Sequence, residues 1–448
     1  MLIEPLDVPM LYGRVAIAAA ALTHALFATF IVGSSMIGAL AETIGLVRKD
    51  SRFDRLAHLI VFTLILSTAA ISFFGVILVF LLNVFWPRFW STLFRIMFWP
   101  LLLEASFFFG EAVFAYAWYY SWEWSAVTPA RKRLHLAFGW MAAACSLIAM
   151  VMIDIVASYM LTPRPPDQMW QVILNPTMFY LDTHRIVGNL TWTGFALAAL
   201  CAVALLYART GEDHTFYRWA GAVCFAIGFG ALLIMPVIGY QYLLQVRYTE
   251  PQAFYTVMLG PRSWLFNLVA LLYGLITVSG SLYILRAIRP PDAPDSAARY
   301  ILPVSVIVLV AAGVVFAMPY HVQHVPLFSR LTDASVIPIG KMQPNKYFAI
   351  SALVIFGLLN WIVFVRSFGT RPSWWRTDSA PRDRVNSALL IVAAGCAMLT
   401  MLTMGWVRET ARAYNGYLIY GVMTFADESS TYRRGETHDM KEHTGPAP

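Results

Sequence analysis

The sequence predicts an all-α membrane protein, a polytopic bundle of about ten transmembrane helices. Hydrophobic residues make up 59% of the 448 residues, charged residues only 13%, and the mean hydropathy is +0.63. A soluble domain carries about 25% charged residues. The apolar runs are long and continuous, whereas a membrane barrel would show short alternating strands. Because only helices and closed barrels satisfy their backbone in lipid, these runs indicate helices.

Apolar runs of roughly 20 residues or more define the predicted spans. They are residues 15–46, 57–85, 92–120, 134–161, 184–207, 217–246, 262–288, 300–320, 347–366 and 386–407. We expect residues 1–426 to form one transmembrane bundle and residues 427–448 to form a polar C-terminal tail. The residues before the first run lack the basic segment and the cleavage pattern of a signal peptide, so we do not expect one here.

Arginine and lysine in the short loops predict the orientation of the bundle. They concentrate after the odd-numbered spans, for example in residues 48–55, 131–133 and 366–384. The positive-inside rule then places both termini outside. The net charge of +7 is a signal of topology and does not indicate nucleic-acid binding.

Two histidines lie at the outer ends of predicted spans, His24 in the first and His184 in the fifth. An ionisable side chain inside a membrane costs about 2.5 kcal/mol or more, so it is retained for a reason. Neutral imidazole is the commonest protein ligand of haem iron, and the pair indicates a membrane redox protein. His321 and His324 follow the eighth span and are further candidates for a metal or haem. No cysteine pair has the spacing that attaches haem c covalently.

Two acidic residues lie inside the third predicted span. Glu104 and Glu111 are seven residues apart and share one helix face. They could carry protons or face a cofactor, or they could hydrogen-bond to neighbouring helices for packing alone. We rank Asp154 below this pair. Glu42, at the inner end of the first span, is expected at the membrane interface.

Four stretches together resemble subunit I of the cytochrome bd quinol oxidases. The first joins His24 to Glu42–Thr43, and the second holds Glu104 and Glu111 in PLLLEASFFFGEAVF. The third is Leu174–Asn175–Pro176, with His184 eight residues after the proline. The fourth is GWVRETARAYNGYLIYGVM, which begins at Gly405. They cover the first five helices and the last one.

The resemblance implies a set of cofactors and residue roles. It implies one to three haems, of type b, with haem d possible. His24 would be an axial ligand at a di-haem oxygen site, and His184 would ligate a low-spin haem b. The remaining implied roles are a proton path at Glu104 and Glu111, pairing with haem propionates at Arg412, and a place between cofactors for Trp406.

The chain also departs from the pattern. Thr403 stands two residues before Gly405, where the resemblance leads us to expect a glutamate ligand. The family's methionine ligand motif is missing, and Met258, Met342, His321 and His324 are the substitutes on the outer side. The long quinol-binding loop is replaced by a connection of about fifteen residues between the sixth and seventh spans.

These departures leave three functions open. The first is a haem b-binding electron-transfer subunit of a cytochrome bd-like respiratory complex. The second is a working quinol:oxygen oxidoreductase with replaced ligands, and the third is a cofactor-free transporter or scaffold. We expect a multi-pass protein of a bacterial or archaeal cytoplasmic membrane. Its expected partners are other membrane subunits and an outer-face redox protein such as a c-type cytochrome, with quinone also considered.

Overall fold

A computed structural model describes residues 10–208, 210–258, 262–288, 296–318, 344–370 and 380–414. Within these ranges every regular element is a helix. The first seven are α1 (Met10–Arg48), α2 (Ser51–Phe85), α3 (Pro87–Ile96), α4 (Phe98–Tyr120), α5 (Trp122–Ser125), α6 (Pro129–Tyr159) and α7 (Met169–Ile173). They are followed by α8 (Met178–Tyr207), α9 (Gly211–Thr249), α10 (Pro251–Met258), α11 (Ser263–Ala287), α12 (Ser296–Ala317), α13 (Pro344–Thr370) and α14 (Ala380–Tyr414).

Ten helical segments of the described chain are long and apolar enough to cross a membrane. They correspond in order to the ten predicted spans, so the predicted class and number of spans are confirmed. One boundary is wrong, because residues 92–96 belong to α3 and the spanning helix α4 begins only at Phe98. With ten residues and with Arg88 and Arg95, α3 is too short and too polar to span.

Helices α1, α2, α4 and α6 form the first helical group. α1 packs along α2 and also contacts α6, while α4 packs against α6 and α2. The buried apolar core of this group includes Ile31, Leu64, Ala115 and Trp118. Small residues bring its helices close together. A Cβ on Gly38 would lie 2.9 Å from the Trp118 ring, so only glycine leaves room for this tryptophan.

Helices α8, α9, α11, α12, α13 and α14 form the second helical group. α8 packs along α9, α11 packs against α12 and α14, and α13 contacts α12 and α9. Aromatic rings fill its centre. The Phe225 ring lies 4.7 Å from the Tyr283 ring, 5.1 Å from Phe229 and 5.5 Å from Phe364, measured between centroids. Aromatic packing therefore joins α9, α11 and α13.

The two groups meet where α1 crosses α8. A Cβ on Gly33 of α1 would lie 2.2 Å from the hydroxyl of Thr193 and 2.6 Å from the carbonyl of Asn189. Since no side chain fits there, glycine allows the two backbones to approach. The indole of Trp192 donates to the carbonyl of Leu26 at 3.2 Å and adds a polar contact at this crossing.

We name the two ends of the bundle by their residues. The histidine end is the end at which α1 and α8 begin and α2 and α9 finish, because Gly75 of α2 lies against His24 and Gly239 of α9 lies against His184. The opposite end is closed by ion pairs between the groups, such as Arg55 Nη2 to Asp213 Oδ1 at 2.6 Å.

The α1–α2 turn at the opposite end is fixed by its own hydrogen bonds. Lys49 has a φ of 54°, a left-handed conformation that ends α1. The backbone N–H of Asp50 donates to the Gly45 carbonyl at 3.1 Å. The Asp50 carboxylate accepts from the backbone N–H of Arg52 at 3.0 Å, as the N-cap of α2. Hydrogen bonds from Arg52 hold the pKa of Asp50 below its ordinary value.

Candidate functional site

The two histidines predicted as ligands lie at one level of the bundle. His24 precedes Gly33 by nine residues, and His184 precedes Thr193 by nine residues. α1 and α8 start at the same end and cross where Gly33 meets Thr193. A helix rises 1.5 Å per residue, so each histidine lies about 13.5 Å from the crossing toward the histidine end. The structure therefore brings His24 and His184 to the same level on neighbouring helices.

The imidazole of His24 has an unsatisfied nitrogen. Its Nδ1 is buried and has no hydrogen-bond partner among the described residues. The carbonyl of Ile71 lies nearby but lacks hydrogen-bond geometry. A Cβ on Gly75 would lie 3.3 Å from this Nδ1 and 3.1 Å from Cε1. Glycine at position 75 thus lets α2 approach the ring without covering it with a side chain.

The imidazole of His184 lies in a wedge between α8 and α9. The helices touch most closely where a Cβ on Gly194 would lie 2.5 Å from the Cα of Gly228. Toward the histidine end the contact is looser. A Cβ on Gly188 would lie 3.7 Å from the Cε of Met235, and one on Gly239 would lie 3.8 Å from the Nε2 of His184. The wedge therefore holds an imidazole and a thioether, with a glycine opposite each.

The Leu174–Asn175–Pro176 stretch sets where α8 begins. The buried Asn175 side chain donates from Nδ2 to the Ser158 hydroxyl at 2.8 Å. Its Oδ1 accepts from the hydroxyl of Thr162 at 3.0 Å and from the backbone N–H of Thr177 at 3.3 Å. These bonds tie the start of α8 to the end of α6. The fixed distance from the proline to His184 then places the imidazole in the second turn of α8.

A charged cluster lies beside His184. Nη1 of Arg185 donates to Oδ1 of Asp154, on α6, and the Asp154 side chain is 0% exposed. The carboxyl of Asp182, one half-turn before His184, faces the Asp154 carboxyl. Arg185 is close enough to interact electrostatically with both His24 and His184. The cluster therefore lies within electrostatic range of both predicted ligand positions.

The acidic pair of α4 lies inside the first helical group. Glu111 is 2% exposed, and Glu104, two helical turns nearer the start of the helix, is partly exposed. The Ser146 hydroxyl of α6 faces the Glu111 carboxyl. Neither Glu111 Oε1 nor Ser146 Oγ has a partner with good hydrogen-bond geometry in the described part of the chain. Unsatisfied buried oxygens are costly, so this place suits a bound proton or water.

Glu42 lies near the end of α1 at the opposite end of the bundle, in a buried polar network. Its side chain is 0% exposed, and its Oε1 lies 2.7 Å from Nζ of Lys132 and 3.2 Å from Nε2 of His135. The indole of Trp118 donates to the other carboxylate oxygen at 2.7 Å. These partners stabilise the buried charge, and they come from helices far apart in the sequence, which is why the run around Glu42 gave no sign of them.

The Glu42 network extends to the surface and to α5. Lys132 Nζ also donates to Oδ1 of the half-exposed Asp54 at 2.9 Å. Nδ1 of His135 lies 2.7 Å from the Ser121 hydroxyl. His58, the other histidine near this end, stacks on Trp122 at 4.6 Å. The first helical group therefore holds polar groups from its exposed opposite end up to the acidic pair of α4.

The other predicted site residues fall into three situations. Met342, His321 and His324 lie outside the described residues. Arg412 lies in the last turn of α14, and its side chain is outside the description. Trp406 is 49% exposed, and its ring packs edge-to-face against Trp264, with 5.4 Å between the ring centroids. Met258 is buried among apolar side chains such as Val246 and Val407.

Sequence reasoning missed two further candidates. Met235 was overlooked because it lies inside an apolar run, where methionine usually packs. Its position opposite Gly188, one helical turn from the Gly239 that lies against His184, becomes visible only in the wedge between α8 and α9. Glu409, three residues after Trp406, is 43% exposed and 3.7 Å from Arg408. An acid so close to the Gly405–Trp406 pair was a signal that could have been used.

The histidine end fits a planar group held by imidazole. His24 offers a buried nitrogen without a hydrogen-bond partner among the described residues, and Nε2 of His184 lies close to Gly239 across the wedge. The thioether of Met235 is also a known type of haem ligand. Among the described residues no cluster of three or more histidine, cysteine, aspartate or glutamate side chains could hold a bare metal ion. The candidate ligands are therefore single side chains on separate helices, an arrangement that suits haem and does not suit a bare metal ion.

Fold and site together define a multi-pass helical membrane protein with paired histidines at one end and buried acids in one helical group. The family described as cytochrome bd terminal oxidase subunit I matches residues 12–259, more than half of the chain. The chain belongs to this family, as its four motif stretches led us to expect. The match includes both histidines and both α4 acids, and it ends before α11.

Two relatives extend the comparison. The cytochrome bd ubiquinol oxidase subunit 1 of Bacillus subtilis (strain 168) is 21% identical over 252 residues, which are 54% of this chain and 52% of that protein. The match therefore spans about half the length of this relative. The bd oxidase structure from Geobacillus thermodenitrificans has a TM-score of 0.51 at 18% identity, covering 89% of this chain and 99% of that chain. At this identity the likeness shows the fold alone.

Proposed function

We propose that the chain is a haem b-binding electron-transfer subunit of a bd-type respiratory complex in a bacterial or archaeal cytoplasmic membrane. The observation that carries this proposal is the common level of His24 and His184 on α1 and α8, with a glycine against each ring. Bound haem would supply reversible one-electron chemistry. The chain supplies imidazole ligands at a spacing that its helix crossing fixes.

The residues of the histidine end divide into two ligand sets under this proposal. His184 would ligate the low-spin haem, and Met235 is its proposed second ligand because it lies on α9 one helical turn from Gly239, the residue against His184. Met258, Met342, His321 and His324 remain the alternatives to Met235. His24 ligates a second haem near α14, whose Gly405 lies against Leu22 of α1. Glu409 and Arg412, on α14, are proposed to face this second haem.

The electron donor is the finer part of the proposal. The Bacillus relative is a ubiquinol oxidase subunit, which supports quinol as the donor and other membrane subunits as partners. A c-type cytochrome at the histidine end is the alternative donor, and none of the relatives indicates it. We place the histidine end outside, following the arginine-rich loops at the opposite end.

A second candidate function is quinol:oxygen oxidoreduction by the same subunit. Oxygen reduction consumes protons, and the first helical group offers a series of polar groups for them. The series runs from the half-exposed Asp54 through Lys132 and Glu42 toward Glu111 and Glu104. Acids of this kind can hold and pass protons when they are buried. This observation favours an oxidase over a pure electron relay.

A spectral and kinetic comparison on the purified complex tests both candidates. A pyridine haemochrome assay and a reduced-minus-oxidised spectrum count the b haems and reveal any haem d. We expect haem b, and we expect carbon monoxide to bind the reduced protein only if the His24 site is five-coordinate. Absence of haem from the pure, folded complex would leave the transporter or scaffold function instead.

Oxygen uptake then separates the two redox functions. The electron-transfer function predicts haem reduction by the donor with little oxygen uptake. Steady uptake with a quinol donor, lost on Glu104→Ala and kept on the control Glu123→Ala in the short helix α5, would establish the oxidase instead. Glu123 is a suitable control because it is an acid of the same region that lies outside the series.

A further inference from the structure

The Arg185–Asp154 pair has no role in ligand binding or proton supply as described above. It joins α8 to α6 at the histidine end, and the Asp154 side chain is wholly buried while Arg185 is 18% exposed. A guanidinium has five N–H donors. The described structure places Nη1 on Asp154 of α6, and His24 of α1 lies within electrostatic range of the guanidinium.

The position of this pair is unusual for a structural ion pair. Arg185 interacts electrostatically with His184, its chain neighbour, and also with His24 on the other helical group. A buried pair costs desolvation, and replacing it with apolar residues is often neutral or stabilising. Packing alone is therefore a weak reason to keep a charge at this place. A second acid, Asp182, faces Asp154.

We propose that Arg185, held in place by Asp154, is a positioning charge shared by the His24 and His184 sites, and that it raises the reduction potentials of the redox groups bound at both. This rests on the proposed function, since it requires haem at these histidines. Reduction adds an electron to the bound group, so a fixed positive charge nearby stabilises the reduced form. Burial strengthens the effect because the medium screens charge poorly.

Redox titration of the purified complex, followed by visible spectra, tests this proposal. Arg185→Gln should lower the midpoint potentials of both haem components, and Arg185→Lys should restore them because it keeps the charge. Asp154→Asn should raise both potentials, since it removes the opposing charge. The double variant Arg185→Gln with Asp154→Asn leaves no charge uncompensated, so it remains measurable if a single variant does not fold. It should lower both potentials, by less than Arg185→Gln does, because Arg185 acts on the two histidines more strongly than Asp154.

A matched control is available at the opposite end of the bundle. Arg218 donates to the buried Asp383 from Nε at 2.8 Å and from Nη2 at 2.5 Å, joining α9 to α14. The double variant Arg218→Gln with Asp383→Asn should leave both potentials unchanged. It therefore separates a local charge effect from a general loss of packing.

Three results decide the matter. Shifts of both components in the predicted directions, with an unchanged control, support the shared charge. Haem present in the variants at unchanged potentials, or a shift of one component only, overturns it while leaving the proposed function intact. Wild-type protein without haem overturns the proposed function first, and the shared charge with it.

Discussion

The two helical groups differ in the side chains that fill the space between their helices. The first group buries ionisable side chains between its helices. Glu42 contacts Lys132 and His135, and Glu111 is buried in the same group. The second group is filled by aromatic rings around Phe225, and its Arg218–Asp383 pair lies at the opposite end. In lipid the hydrophobic effect does not hold helices together, so each group must use either close packing or polar contacts. The contrast indicates that buried polar contacts join the helices of the first group, whereas aromatic packing joins the helices at the centre of the second.

The aromatic centre should carry the largest single contribution to stability. Phe225→Ala removes a fully buried ring with four aromatic neighbours. Deletions of this kind cost about 3–5 kcal/mol. We expect a clear fall in the thermal unfolding temperature of the detergent-solubilised protein, with the positions of any haem bands unchanged. Altered haem bands at normal stability would contradict the conclusion that the Phe225 ring serves packing.

Breaking the Glu42 network should also be costly, but for an electrostatic reason. Glu42→Ala leaves the buried His135 and part of the Lys132 charge without their carboxylate. Loss of one partner from a buried ion pair costs about 3–5 kcal/mol, here reduced because Lys132 retains Asp54. Thermal unfolding measures the loss.

The matched control for Glu42 is Arg52→Gln, which removes the exposed ion pair with Asp50 while Asp50 keeps its N-cap bond to the backbone of α2. Exposed pairs contribute about 0–1 kcal/mol, so this variant should unfold almost normally. Equal destabilisation by the two substitutions would show that the buried network contributes no more to stability than an exposed ion pair.

The glycine contact between α8 and α9 gives a smaller prediction. Gly194→Ala places a Cβ 2.5 Å from the Cα of Gly228, so the helices must separate. Overpacking of this kind costs about 1–3 kcal/mol, and it should also disturb the wedge that holds His184. The measurement is the unfolding temperature together with the spectrum of the His184 component.

Gly395→Ala in α14 is the control, because no atom lies within 4 Å of its added Cβ. Alanine favours helix by about 0.8–1.0 kcal/mol over glycine, so this variant should be as stable as the parent or more so. A loss of stability at Gly395 as large as that at Gly194 would mean that helix-helix contact is not the cause.

The sequence was a sufficient guide where the signal is local. Ten spans could be predicted because lipid demands long apolar helices, and His184 could be singled out from its distance to Pro176. The start of α4 was misplaced, since the break at Met97 separates two helices within one apolar run. The fold itself follows from hydropathy more directly than the site does.

Contacts between distant helices were beyond prediction. Glu42 and Trp118 are 76 residues apart, and nothing near Glu42 in the sequence indicates that an indole will donate to it. Met235 likewise gains meaning only from the facing Gly188, and Arg185 only from Asp154 across the bundle. A single sequence reveals which ionisable residues lie in the membrane, whereas their partners depend on how the helices pack.

The central claim is that the level shared by His24 and His184 is a haem-binding level. It is tested most directly by the reduced-minus-oxidised spectrum and haem content of purified His184→Ala, measured beside His214→Ala. His214 lies near the start of α9 at the opposite end and serves as the histidine control. We predict that His184→Ala loses one b-type component while His214→Ala keeps the full spectrum. Unchanged haem content in folded His184→Ala would contradict the account.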